Sequence, residues 1–109
     1  MKTIKDNPTL KDFQKYVEEM VVERGFIDTT IPELFMYLSE EIGEMAKATR
    51  QVTKMHTDNN SEKKELAHEM ADVLIYVLDI ANHLDVDLEE AFREKEEINN
   101  LRKWNKKGE

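Results

Sequence analysis

Apolar residues recur along this chain at the three-to-four-residue spacing of helices that turn one face to a core, in four separate runs. The first predicted helix spans residues 10–24, with Phe13, Tyr16, Val17, Met20 and Val21 as its stripe. Thr9 is placed to cap it with Asp12 at the reciprocating position, and Gly25 ends it. The second spans residues 31–54. Thr30-Ile31-Pro32-Glu33 reads as a capping box with proline in the first turn, and Ile31, Leu34, Leu38, Ile42, Met45 and Val52 form its stripe. Residues 56–60 read as a polar connection.

Ser61 reads as the cap of a third helix over residues 62–84, striped by Leu66, Met70, Val73, Val77, Ile80 and Leu84. Ala71, Leu74, Ile75 and Leu78 give this helix a second apolar side. A helix apolar on nearly all sides needs cover all round, so part of it is expected to face another subunit. Asp87 with Glu90 reads as a capping box for a fourth helix running to Lys103, with Leu88, Ala91 and Phe92 on its early apolar side. The expectation is an all-α, four-helix bundle-like single domain over residues 1–109, oligomeric, with frayed ends at about 1–8 and 105–109. Trp104 reads as a packing or interface anchor.

The polar positions that border these stripes carry the chemistry. Glu41 and Glu44 on the second helix, and Glu69 and Asp72 on the third, are carboxylate pairs three residues apart. At about 100° per residue such pairs lie on neighbouring parts of one face. Two such helices face to face would gather four carboxylates, which cannot all stay ionised without a cation among them. Oxygen ligands alone favour Mg²⁺ or Mn²⁺. Glu40 points about 160° from Leu38 and shares the cluster least directly. Charged residues make up 37% of the chain, so other acidic pairs, such as Glu94 with Glu97, read as solvated faces. Glu65 and His68 form half of a di-iron motif whose second half is missing, and His68 reads as surface. His83 reads as a helix C-terminal residue that favours the dipole. Tyr76 is either core or a ligand contact, and Phe35 and Tyr37 are candidates for stacking, with core as the other reading of Phe35. Lys95, Asn99 and Arg102 line one edge of the fourth helix and offer donors and positive charge to phosphate oxygens. Gly43 costs about 1 kcal/mol mid-helix relative to alanine, which close packing of a helix or ligand, or chance, would account for.

Composition narrows the partners. The net charge of −8 argues against binding a nucleic acid polymer, because no basic field exists to collect its phosphates. The absence of cysteine removes thiolate metal sites and a cysteine nucleophile. No secretory signal and no membrane-length apolar run is evident, so a cytoplasmic protein with no membrane partner is expected.

The segments Leu38-Ser39-Glu40-Glu41-Ile42-Gly43-Glu44 and Glu69-Met70-Ala71-Asp72 together match the EExxE…ExxD pattern. Over about residues 30–104 the chain resembles the MazG-type nucleotide pyrophosphohydrolases of the all-α NTP pyrophosphatase superfamily. Lys95-x-x-x-Asn99-x-x-Arg102 resembles that family's third element. The resemblance implies that Glu41, Glu44, Glu69 and Asp72 hold Mg²⁺ (Mn²⁺ as the other candidate), with Glu40 completing the catalytic set by orienting a ligand. Lys95, Asn99 and Arg102 would contact phosphates or sugar. The implied reaction converts a nucleoside triphosphate to the monophosphate and pyrophosphate, in a homodimer or homotetramer. A phosphoribosyl-ATP pyrophosphohydrolase and a non-catalytic helical module are the other readings.

Overall fold

The computed structural model describes residues 3–54 and 60–102. Among them are four α-helices and no strand: α1 (Leu10–Glu23), α2 (Ile31–Lys54), α3 (Asn60–His83) and α4 (Leu88–Leu101). Most of the expected connection at 56–60, the end of the fourth helix at Lys103, Trp104 and the expected C-terminal fraying lie outside the described residues, as do Met1 and Lys2. Ser61 falls inside the first turn of α3, because the helix begins one residue before it.

Local chemistry sets the helix ends. Thr9 and Asp12 exchange both capping-box bonds, Asp12 N to Thr9 Oγ1 at 3.1 Å and Thr9 N to Asp12 Oδ2 at 2.9 Å. Thr30 and Glu33 do the same at the start of α2. At α4 only the forward half forms, Glu90 N to Asp87 Oδ1 at 3.1 Å, while the adjacent Glu89 carboxylate accepts from Lys11 N. Past the end of α1, Gly25 adopts φ +78°, and the Phe26 N–H returns to the Val21 carbonyl at 2.9 Å. The turn after α3 repeats this wrap, with Val86 N to Ala81 O at 2.9 Å, but Asp85 at φ +55° takes the left-handed position.

α2 and α3 pack along their length, α1 lies across α3, and α4 lies against α1. Among the described residues no other pair of helices packs extensively, so the bundle is open rather than closed. The deepest residues are Leu78 and Val17, which with Met20 and Val21 form the α1–α3 core under Leu10, Phe13, Tyr16, Ile75 and Leu88. Leu78 belongs to the second apolar side of α3, so that side, and not the predicted stripe, meets α1. The stripe residues Ile42, Met70 and Leu84 are exposed, as is Leu74. Phe35 is exposed rather than core. The hub between α1 and the α3–α4 turn is Gln14. Its amide donates to Asn82 Oδ1 and the Val86 carbonyl and accepts from Leu88 N, and Asn82 Nδ2 returns a bond to the Gln14 carbonyl.

Candidate metal centre

The α2–α3 hairpin positions the acidic side chains. Glu41 meets Glu69 and Asp72, while Tyr37, one turn earlier on α2, meets Tyr76, one turn later on α3. Pairing that runs in opposite directions along the two helices makes the hairpin antiparallel. Glu41, Glu69 and Asp72 each bring a carboxylate oxygen within 4.8 Å of the others. Glu41 and Glu69 are half-buried at the helix–helix seam, and Asp72 is exposed at its edge.

The electrostatics of the group are those of crowded acids. Glu41 shares a hydrogen bond with Glu69, is partly desolvated, and sits in the negative field of Glu69, Asp72 and Glu44. Together these push its carboxyl up to about 7. Glu69 Oε2 is buried and has no hydrogen-bond partner. A buried carboxylate oxygen left in that state costs free energy until a proton or a cation reaches it. The residues therefore fit a divalent ion: three carboxylates with convergent hard oxygens, one carboxylate carrying an orphaned oxygen, and no nitrogen or sulfur donor in the set.

Not every expected residue joins them. Glu44 is exposed and stands outside the trio, acting on Glu41 through its charge. Glu40 is exposed, and His68 is on the surface as expected. Lys95, Asn99 and Arg102 ride on α4, which packs on α1 and not along the hairpin. Asn99 is half-buried and donates to Glu96 Oε2 at 2.7 Å, and Arg102 caps the end of α4. Tyr76 is half-buried beside the acids. Its hydroxyl is held above the usual phenol range by burial first and by Glu41 and Asp72 next.

From the sequence Asp79 lies on the acidic flank of the third helix, a turn before His83, with no role assigned to it. It is 7% exposed, and His83 Nδ1 lies 2.9 Å from its carbonyl and 3.2 Å from its Oδ1. Burial raises its pKa and the His83 contact opposes this. Its spacing from His83 was legible in the sequence, and its burial was not. Among the described residues Gly43 has no neighbour within 4 Å of where a Cβ would stand, so their packing does not account for it.

Fold and site together define an all-α protein with a carboxylate cluster that fits a hard cation between two antiparallel helices. The MazG nucleotide pyrophosphohydrolase domain matches residues 29–103, well over half of the sequence, and the chain belongs to that family. At family level it is a hydrolase acting on nucleotides, and such enzymes generally use a divalent metal. The match takes in α2, α3 and α4 and leaves α1 outside it. Among curated proteins none matches the chain. No helix among the described residues is long and apolar enough to cross a membrane.

Proposed function

We propose that this protein hydrolyses a nucleoside triphosphate, ribo- or deoxyribo-, to the monophosphate and pyrophosphate with Mg²⁺, or Mn²⁺ in its place, as a cytoplasmic housekeeping enzyme of nucleotide pools. The observation that carries the reading is the convergence of Glu41, Glu69 and Asp72 with a buried, unpartnered Glu69 oxygen. Family membership supplies the reaction class. Glu41, Glu69 and Asp72 would hold the ion, and Glu44 would complete the set after a rotamer change on the exposed side of α2. A divalent ion bound there supplies charge screening for the triphosphate and acidifies a water.

The chain's own groups do the rest. A carboxylate among Glu40, Glu41, Glu44, Glu69 and Asp72 takes the proton of the attacking water as pyrophosphate leaves. Lys95, Asn99 and Arg102 bind phosphate or sugar oxygens, and Tyr76 borders the substrate. Because α4 lies on α1, that row serves the site in a homodimer or homotetramer, which would also cover Leu74, Met70 and Ile42.

A panel of nucleoside triphosphates, read by pyrophosphate release with Mg²⁺, tests the reading. Activity on at least one nucleotide is expected, with Asp72→Asn lowering kcat severely and Arg102→Ala mainly raising KM. Loss of one charge-assisted bond corresponds to about 1–3 kcal/mol of binding. Parental kcat in Asp72→Asn would refute its metal role.

A further inference from the structure

One helical turn from the acidic trio, the hairpin carries two tyrosines. Tyr37 precedes Glu41 by four residues on α2, and Tyr76 follows Asp72 by four on α3, so both sit in the next layer of the same seam. Their ring centroids are 6.1 Å apart with planes tilted by 40°. Tyr76 is half-buried in the seam, whereas Tyr37 is 42% exposed. The contact thus orients Tyr37 from one side and leaves part of its ring open to solvent. An exposed aromatic held by a half-buried one loses little further freedom on binding, which is the condition for an efficient stacking surface.

The surroundings choose the ligand. Glu41 and Asp72 stand one turn, about 5 Å, along the seam, so a molecule that stacks on Tyr37 must either avoid the carboxylates or bring a cation to them. A nucleotide does the second, with its phosphates carrying the metal to the acids and its sugar spanning the turn to the ring.

We propose that Tyr37 is the base-stacking residue of the site: the nucleobase lies on the open part of its ring, Tyr76 holds that ring in place, and the phosphates face Glu41, Glu69 and Asp72. This rests on the reading of the site as a nucleotide pyrophosphohydrolase. Every base has a π-face, so Tyr37 supplies affinity to all four bases alike, and choice among bases lies elsewhere.

Steady-state kinetics on the active nucleotides, with inorganic tripolyphosphate as a base-free competitor, tests it. Tyr37→Ala and Tyr37→Leu are each expected to raise KM by about tenfold or more for every active nucleotide, with kcat near the parent's. Tyr37→Phe keeps the ring and should keep the parental KM. The inhibition constant of tripolyphosphate, which has no base to stack, should be unchanged in all three. A parental KM in both Tyr37→Ala and Tyr37→Leu overturns the proposal. So does a tripolyphosphate constant that weakens together with KM, because the loss would then be in the phosphate site. An inactive parent would overturn the pyrophosphohydrolase reading and this inference with it, whereas an active parent with an indifferent Tyr37 overturns this inference alone.

Discussion

Glu69 shows how much one atom can decide. Its buried Oε2 has no donor, and its neighbour Glu41 titrates near 7 because the two acids share a hydrogen bond and a poor supply of water. A carboxyl raised in the fold stabilises the protein below its unfolded pKa, about 4.5, and that contribution is lost as pH rises through the folded value of about 7. The metal-free protein is therefore expected to lose melting temperature between pH 5 and pH 8, and Glu41→Gln should flatten that slope. Asp12, Glu33 and Asp87 act oppositely. Backbone N–H donors hold each below the usual carboxylate range, so their stabilisation fades as pH falls below about 4. Thermal melts across pH in a chelator separate the two windows. The convergence of Glu41, Glu69 and Asp72 was legible in the sequence because i, i+3 spacing beside an apolar stripe sets carboxylates at the helix–helix seam. Glu44 was less so, since the same spacing fans the pair apart around α2 and only one of its members enters the seam.

Helix existence was legible for the same kind of reason, and helix facing was not. Caps at Thr9, Thr30 and Asp87 and the glycine stop after α1 are local devices, readable from a few residues. The orientation of α3 depends on which of its two apolar sides meets α1, a tertiary choice that put Leu78 in the core and left Met70 out. Leu78→Ala is expected to cost about 2–5 kcal/mol, read from denaturant midpoints, since the side chain is fully enclosed. Gln14→Ala strips three bonds from the turn between α3 and α4. It should cost about 2 kcal/mol and raise amide exchange at Leu88 before it does so in the α2–α3 hairpin. Uniform exchange across both regions would show that the clamp is not local.

At the scale of the molecule, the chain is larger than its length requires. The radius of gyration is 17.1 Å, where a compact domain of this length has about 13 Å. The difference lies in the open arrangement, which leaves Ile42, Met70, Leu74 and Phe92 facing solvent. The proposed homo-oligomer would cover these apolar residues. Sedimentation is expected to give a dimer or a tetramer at micromolar concentration, and a species of 12.9 kDa would overturn this. Saturating Mg²⁺ should raise the melting temperature by relieving the acidic trio, an effect that Glu41→Gln with Glu69→Gln should weaken.

The empty space beside Gly43 makes that position a reporter. The chain has no cysteine, so Gly43→Cys would supply its single thiol, between Glu41 and Glu44 on an exposed part of α2 where a side chain meets nothing. A nitroxide attached there would report directly from the edge of the acidic seam. Its relaxation by bound Mn²⁺ would place the ion relative to α2, and dipolar coupling between two labels would measure how far apart the sites of neighbouring copies stand.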